Sequence, residues 1–368
     1  GIQQVTGDAG EYTLANNKRG NPMAANVETF DPKKLNDFAV RALMKVGVPE
    51  DDAKITADIL IATDLRGIDS HGIAHLGMYT GGLKEGRTNP NPNTQIISQA
   101  PATAIMEGDK GLGFVVGYRA MTEAMRRAEE TGAGFVTVRN SSHFGAGGNY
   151  AMMALPRDMI GISMTEGGKG MNAPGTVGRG IHINVISVAI PAKDEAPFVL
   201  DMATTVVAAG KIEIANREGK QLPEGWSIDK DGNPITDPKK HGTEGALLPL
   251  GGTPQTGVYK GFGLALVVDI LTGVLSGAPQ DTLMAGNHFF GALKIDGFMP
   301  VDNFKKLLDA KMQEYKSLPK APGIERIFLP GEIEQEIEEN RQSGIPLHPA
   351  VVESLKKVAA DLDIEYDL

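Results

Sequence analysis

The chain of 368 residues contains no cysteine. Without thiols it cannot form a disulfide, a zinc ribbon, a cysteine-ligated iron–sulfur cluster or a thiol nucleophile, so these classes of site are excluded. A protein that needs no disulfides suits a reducing compartment, and we therefore expect this chain to be cytoplasmic.

Long apolar runs are also missing. A membrane-spanning helix needs about 20 apolar residues, whereas the most apolar stretch, residues 262–275, is interrupted by Asp269 and Gly273. The first residues lack the basic segment followed by an apolar one that marks a secretory signal. We therefore expect no membrane partner, and we interpret residues 1–29 as a polar N-terminal extension.

Positive charge is scarce, because 36 Lys and Arg stand against 46 Asp and Glu, giving a formal net charge of -10. Binding of nucleic-acid phosphates requires clustered Lys and Arg, so we expect no nucleic-acid partner. A small anionic substrate needs only one or two nearby cations, and that class of ligand stays open.

The length favours two or three domains. Residues 30–90 carry apolar side chains at helical spacing, and Asp31 followed by Pro32 is a good helix start. Strand-like and helix-like segments alternate over residues 91–280, which is typical of an α/β domain. Helical spacing returns in residues 281–368.

The first candidate site is R-G-I-D-S-H-G-I-A-H, residues 66–75, in which His71 and His75 would share one face of a helix. Zinc proteases use this spacing, but they have Glu after the first His, where this chain has Gly72. A metal site, a proton-transferring His and two ordinary histidines all remain open. A third metal ligand would have to come from Asp64, Asp69 or His143.

The second candidate is N-S-S-H-F-G, residues 140–145, which follows a predicted strand. Binding sites in α/β proteins lie at the carboxyl ends of strands, so His143 is well placed for function. The alternative is a loop histidine beside two turn serines. The nearby G-L-G-F-V-V-G, residues 111–117, is not a dinucleotide fingerprint, because it has one extra residue and no acidic residue at the expected distance.

Five segments taken together resemble the type-2 malate/L-lactate dehydrogenase family, which includes ureidoglycolate, sulfolactate and diketogulonate oxidoreductases. They are R-G-I-D-S-H-G, N-S-S-H-F-G, V-L-D-M-A-T-T, P-E-G-W-S-I-D with T-D-P, and Y-K-G-F-G-L-A, in that order. The resemblance runs from about residue 30 to the end. It implies a mixed-sheet, non-Rossmann α/β domain that binds NAD(P), a helical domain formed from both chain ends, and a homodimer with active sites near the subunit interface.

The same resemblance implies an oxidoreductase that uses NAD or NADP to interconvert a 2-hydroxy acid and a 2-keto acid. It gives proton transfer to His71 and His143, and histidine has the right pKa for this exchange near neutral pH. We expect the substrate near Arg66, Ser70, His75 and Tyr79, and no metal in the site. The expected cofactor contacts are Thr165, Asn184, Asp201, Met202, Ala203, Lys260, Gly261, Pro330, Gly331 and Glu332.

The chain departs from the family pattern in two places. His75 stands where the family often has an Arg, and a His cannot reproduce the permanent bidentate fork of Arg. The usual T-N-S, P-x-G-G and G-T-N-P stretches are altered between residues 165 and 185, with Lys169, Arg179 and His182 added. We therefore predict that plain malate or lactate is not bound in the usual way, and we hypothesise that Lys169 or Arg179 replaces the missing cation.

Three alternatives accompany this interpretation. The same histidines would serve the reduction of a cyclic or N-alkyl imine, in which the proton goes to nitrogen. A metal-dependent hydrolase would use His71, His75 and His143 as ligands. A catalytically inactive homologue would keep the fold for binding alone.

Overall fold

The computed structural model describes residues 27–278 and 286–368. Most of the predicted polar extension, residues 1–29, lies outside the described residues. The prediction was wrong for its last two residues, because Glu28 and Thr29 form a strand with Phe30. That strand pairs antiparallel with residues 345–347, near the other end of the chain.

The described residues form eleven strands and eleven α-helices. None of these helices is both long and apolar enough to cross a membrane. The strands are β1 (Glu28–Phe30), β2 (Gln95–Gln99), β3 (Thr103–Glu107), β4 (Ala133–Arg139), β5 (Met159–Met171), β6 (Ile181–Ile190), β7 (Phe198–Ala203), β8 (Ser227–Ile228), β9 (Ala246–Leu247), β10 (His288–Lys294) and β11 (Ile345–Leu347). The helices are α1 (Pro32–Lys45), α2 (Glu50–Leu65), α3 (Leu76–Lys84), α4 (Gly113–Thr131), α5 (Gly148–Met152), α6 (Ala209–Glu218), α7 (Pro238–Glu244), α8 (Val258–Asp269), α9 (Val301–Lys316), α10 (Glu332–Arg341) and α11 (Pro349–Leu362).

The main sheet has the strand order β2-β3-β4-β10-β5-β6-β7, with β9 paired to β5 and β8 paired to β9. Only β3 with β4 and the short contact of β5 with β9 are parallel, and the other pairs are antiparallel. A doubly wound Rossmann sheet is mainly parallel. The predicted mixed-sheet α/β fold class is therefore confirmed.

Strand β10 corrects the predicted boundary at residue 280. The sequence prediction put everything after it with the helical part, but β10 lies in the middle of the main sheet, between β4 and β5. Its first five residues, from His288 to Ala292, are all buried. A strand covered on both faces loses the polar–apolar alternation that identifies strands in a sequence.

Helices from both chain ends share one core, as predicted. Asp31 caps α1 by accepting hydrogen bonds from the backbone N–H groups of Lys33 (2.7 Å) and Lys34 (3.2 Å). Apolar side chains of α1, α2, α3 and α11, such as Phe38 and Leu355, are buried together. The exact residue limits of the domains stay a prediction.

Two helices cover opposite faces of the β5–β6 pair. Gly147, just before α5, lies against Ser187 of β6, because a Cβ placed there would be 2.3 Å from the Ser187 hydroxyl. On the other face, the side chain of Asn184 donates to the backbone oxygen of Ala265 in α8 over 2.7 Å. Alternate residues of β6 therefore face two different environments.

Candidate active site

The His71 loop lies between α2 and α3 and is not helical at His71. The predicted helix face for His71 and His75 is therefore wrong, because only Ile73–His75 form a 3-10 turn before α3. The reason is Gly72, whose backbone (φ -91, ψ -146) leaves the helical region. A Cβ on Gly72 would lie 2.0 Å from a carboxylate oxygen of Asp64, so no larger residue fits this bend.

Asp64 holds this bend in place. Its carboxylate accepts the backbone N–H of Ile73 over 2.7 Å, and its backbone oxygen accepts a guanidinium N–H of Arg341 over 2.5 Å. Burial raises the pKa of Asp64 to about 8. Arg341 also pairs with Asp69, so α10 contacts the segment before His71 at two points.

His143 follows the carboxyl end of β4, as the sequence predicts, and its ring is fixed on one side. Tyr79 places its hydroxyl 2.8 Å from Nδ1 of His143, and the backbone N–H of Gly145 donates to the same nitrogen over 3.3 Å. Nδ1 therefore accepts hydrogen bonds, which leaves the proton of the neutral ring on Nε2. Tyr79 is itself held edge-on against Phe114, with ring centroids 4.9 Å apart.

The structure brings five of the predicted residues together, namely Ser70, His71, His75, Tyr79 and His143. The rings of His71 and His143 are nearly parallel, with centroids 5.7 Å apart. Ser70 places its hydroxyl 2.9 Å from Nδ1 of His71, and its backbone oxygen lies 3.0 Å from Nε2 of His75. The His75 ring also meets that of His71 edge-on at 6.1 Å.

Burial sets the charge state of this cluster. Burial, together with repulsion from neighbouring histidines, lowers the pKa of His71 to about 4 and that of His143 to about 3. The pKa of His75 is also lowered by burial, although the charge of Glu213 opposes the shift. All three imidazoles are therefore neutral near pH 7, and a neutral imidazole can accept a proton from a hydroxyl group.

Sequence reasoning missed His288, which lies behind His143 in β10. It is fully buried, its Nδ1 is 2.8 Å from the hydroxyl of Thr165, and its ring stacks on Phe144 at 4.6 Å. Burial and the nearby His143 lower the pKa of His288 to about 3. The segment around it, H-F-F-G-A, is mostly apolar, and no local pattern distinguishes a buried histidine near an active site from one in the hydrophobic core.

Gly210 and Glu213 of α6 were also missed as parts of this site. A Cβ on Gly210 would lie 2.9 Å from the Cβ of Ser70, so α6 packs directly on the His71 loop. Glu213 lies near enough to His75 for its charge to oppose the lowering of the His75 pKa. The signal in the sequence that could have indicated α6 was the Gly210–Lys211 pair, which follows the V-L-D-M-A-T-T motif.

Arg66 and Arg179, two of the proposed substrate cations, already have partners. Arg66 is buried and pairs with Glu338 of α10 at 2.9 Å. Arg179 donates to the backbone oxygen of Gly245 over 2.7 Å and to the backbone oxygens of two residues in α7. Lys169 lies in β5, opposite His182 in the strand register.

Asp201 does not cap the helix that follows it. In β7 it accepts the backbone N–H of Gly148 over 2.9 Å and the hydroxyl of Ser187 over 2.7 Å, so it anchors the start of α5. Its burial raises the pKa of its carboxyl group. Met202 and Ala203, which follow it, remain partly exposed.

The late Pro330–Glu332 segment lies beside β7. The backbone oxygen of Pro330 accepts the N–H of Val199 over 2.9 Å. Glu332 is buried and pairs with Lys316, so its carboxylate is not accessible to a ligand from solvent. A Cβ on Gly331 would lie 2.9 Å from Val199, so the backbone of this segment is pressed against the strand.

The other expected cofactor residues are dispersed. Thr165 and Asn184 are buried on opposite faces of the sheet, against His288 and α8 respectively. Lys260 is exposed at the start of α8. Gly261 is pressed against Leu250, and a Cβ there would lie 2.3 Å from the Leu250 nitrogen.

Residues 30–356 match the family model described as malate/L-lactate dehydrogenase. The chain is 44% identical over 342 residues to the malate dehydrogenase of Pyrococcus horikoshii, covering 90% of this chain and 95% of the relative. It is 38% identical over 346 residues to the L-sulfolactate dehydrogenase of Methanocaldococcus jannaschii (91% and 98%). It is 30% identical over 320 residues to the ureidoglycolate dehydrogenase (NAD(+)) of Escherichia coli (83% and 88%).

Solved structures agree with these matches. The malate dehydrogenase structure from Pyrococcus horikoshii superposes with a TM-score of 0.85 at 40% identity, covering 92% of this chain and 97% of that one. The delta1-piperideine-2-carboxylate reductase from Pseudomonas syringae superposes with a TM-score of 0.76 at 22% identity, covering 90% and 100%. At that identity the second likeness shows the fold alone.

Proposed function

This chain belongs to the malate/L-lactate dehydrogenase family and is an oxidoreductase, and from that premise we propose that it interconverts a 2-hydroxy acid and a 2-keto acid with a nicotinamide cofactor. The observation that carries the proposal is the pair of neutral, nearly parallel imidazoles of His71 and His143. Oxidation of the hydroxy acid moves a hydride from carbon 2 to the cofactor and a proton from the hydroxyl group to the protein.

His71 is the proposed proton-transfer residue. Its Nδ1 is occupied by Ser70, whose hydroxyl can donate or accept, so Nε2 is the nitrogen left to exchange a proton with substrate. When Nε2 takes the hydroxyl proton, the Ser70 oxygen can accept the hydrogen on Nδ1. The charged ring is then stabilised without moving.

His143 is the proposed hydrogen-bond donor to the substrate oxygen. Because Nδ1 accepts from Gly145 and meets the hydroxyl of Tyr79, the proton lies on Nε2, which can donate to a carbonyl oxygen. In the direction of reduction this bond polarises the carbonyl. Division of the two roles between the two histidines follows from their different hydrogen-bond partners.

The cofactor is proposed to lie along the end of β7. Met202 and Ala203 are partly exposed there, and the chain continues to Gly210, which packs on Ser70 beside His71. This backbone path joins Met202 and Ala203 to the histidines, and a nicotinamide bound along it would supply the hydride chemistry. The residues present therefore fit such a group.

The substrate is proposed to be a 2-hydroxy acid that does not depend on an Arg at position 75. The lowered pKa of His75 and its contact with the Ser70 backbone oxygen leave it without a permanent charge. The relatives are named for malate, sulfolactate and ureidoglycolate, so these three acids and lactate are the first compounds to test. A cyclic imino acid belongs in the same screen.

A homodimer is proposed, and the surface of α8 supports it. The helix and the π-helical turn that follows it, Ile270–Val274, bury one side on the sheet and expose large apolar side chains on the other. Exposed apolar patches of this kind mark protein interfaces. The exposed side chains are Tyr259, Leu264, Leu266, Val267, Ile270, Val274 and Leu275.

Light scattering on Val274→Lys tests the dimer. A charge at this exposed position should yield monomers, whereas Met44→Lys, at an exposed position on α1, should leave the mass of a dimer unchanged. A monomeric parent protein at micromolar concentration would contradict the proposal.

Fluorescence titration with NADH and NADPH tests the function. We expect saturable binding of at least one of them, followed by oxidation of the bound cofactor when a 2-keto acid is added. Turnover only with a cyclic imine would replace the proposed substrate class. Absence of binding of both at millimolar concentration would contradict the proposed function and favour the inactive binding homologue.

A further inference from the structure

A second cluster of titratable side chains lies away from the histidine pair, on the α8 side of the sheet. Glu166 of β5, His182 of β6 and Asp269 at the end of α8 each present one ligand atom, and these atoms all lie within 4.8 Å of one another. Among the described residues, no other group of three potential metal ligands converges in this way. Glu166 and His182 are buried, and Asp269 is partly buried.

The cluster has an excess of negative charge. The described parts of the chain place no Lys or Arg in an ion pair with Glu166 or Asp269, and the imidazole of His182, 3.4 Å from Asp269, is the basic group beside them. Two carboxylates removed from water repel each other and need a nearby positive charge. A proton on Glu166 would remove this repulsion and leave the charge of Asp269 beside His182, whereas a divalent cation would balance both carboxylates in their charged form.

Asn184 adds an independent observation. It lies in register with Glu166, and its amide nitrogen donates to Asp269 over 2.9 Å, so its side chain belongs to the same cluster. Asn184 is fully buried, and its amide oxygen has no hydrogen-bond partner. A buried oxygen without a partner is costly unless a donor or a cation satisfies it.

We propose that Glu166, His182 and Asp269 bind one divalent transition-metal cation, with the amide oxygen of Asn184 as a further ligand. One imidazole and two carboxylates suit Zn²⁺ or Mn²⁺ better than Ca²⁺ or Mg²⁺, which prefer oxygen ligands alone. The cation would join β5 and β6 to α8, so its role is structural. It is separate from the histidine pair and does not depend on the proposed reaction.

The test begins with the metal content of the purified protein, followed by melting of chelator-treated protein with and without Zn²⁺ or Mn²⁺. We expect about one metal ion per chain. We also expect the melting temperature to rise by about 3 °C when the added metal exceeds its dissociation constant about a hundredfold. Both effects should disappear in His182→Gln and in Glu166→Gln.

Two variants control for other metal-binding histidines. His241→Gln removes a histidine that contacts Ser227 instead, and His75→Gln removes one from the histidine cluster of the candidate active site. Both should keep the metal-dependent rise. If wild-type protein retains no metal and neither ion moves its melting temperature, the proposal is wrong. A rise that survives Glu166→Gln but is lost in His75→Gln would also overturn it. The wild-type measurements decide the question even if His182→Gln does not fold.

Discussion

The hydroxyl of Tyr79 lies 2.8 Å from Nδ1 of His143 and, with the N–H of Gly145, determines which nitrogen of that ring carries the proton. The two residues come from different parts of the molecule, Tyr79 from α3 in the helical part and His143 from the end of β4 in the main sheet. The orientation of a proposed catalytic group therefore depends on how these two parts pack.

Tyr79→Phe should lower kcat/KM roughly fivefold, because one hydrogen bond of about 1 kcal/mol to His143 is lost while the packing on Phe114 remains. Steady-state kinetics measure the change. Tyr118→Phe, on the exposed side of α4, is the matched control and should behave like wild type. An unchanged kcat/KM in Tyr79→Phe would show that this bond does not orient the ring.

His71→Gln should lower kcat by about 10²- to 10⁴-fold, since the proposed proton-transfer group is removed. Cofactor binding, followed by fluorescence, should change little. His348→Asn, which keeps an acceptor at the start of α11, is the control and should retain full activity. If His71→Gln keeps its kcat while His143→Gln loses it, the proposed roles of the two histidines must be exchanged.

Gly72→Ala should disrupt the His71 loop. Its methyl carbon would lie 2.0 Å from an oxygen of the Asp64 carboxylate, which is far inside van der Waals contact. Such overpacking costs about 1–3 kcal/mol. We expect a lower melting temperature and a larger loss of kcat. Gly81→Ala, where a Cβ meets nothing within 4 Å, is the control. Wild-type kinetics in Gly72→Ala would mean that the bend does not position His71.

Asp64→Asn should change how stability depends on pH. The pKa of Asp64 is raised to about 8 in the folded chain, so the folded state holds a proton that the unfolded state releases near its ordinary pKa of about 4. This group therefore contributes stability that is fully present below about pH 4 and is lost as the pH rises toward about 8.

Urea unfolding of both proteins at about pH 5 and about pH 8 checks this expectation. Asp64→Asn carries no titrating proton, so its free energy of unfolding relative to wild type should increase between the two pH values. Asp361→Asn, exposed on α11, should show no such trend. An equal difference at both pH values would mean that Asp64 titrates near its ordinary pKa.

Local sequence signals predicted much of the fold. Asp31 with Pro32 identified the start of α1, and the motif around His143 identified the end of β4, because both depend on short-range backbone chemistry. The central strand β10 was missed because burial on both faces removes the alternation that reveals a strand.

The sequence predicted which residues would form the candidate site, but not the contacts that hold them in place. The resemblance gave His71, His143 and Ser70, whereas the pairing of Arg66 with Glu338 and the packing of Gly210 on Ser70 join residues distant in sequence. Such contacts depend on the packing of α10 and α6 around the loop. No spacing rule along one chain can supply them, and for the same reason the cluster of Glu166, His182 and Asp269 was not recognised as a unit.

The most direct test of the central claim is the fate of the hydride. Wild-type protein is mixed with a 2-keto acid and with NADH or NADPH carrying deuterium at either position of nicotinamide carbon 4, and the product is analysed by mass spectrometry. We predict a 2-hydroxy acid with deuterium at carbon 2 from one of the two labelled positions. A product without deuterium from both positions, or no product from any of the named acids, would contradict the account.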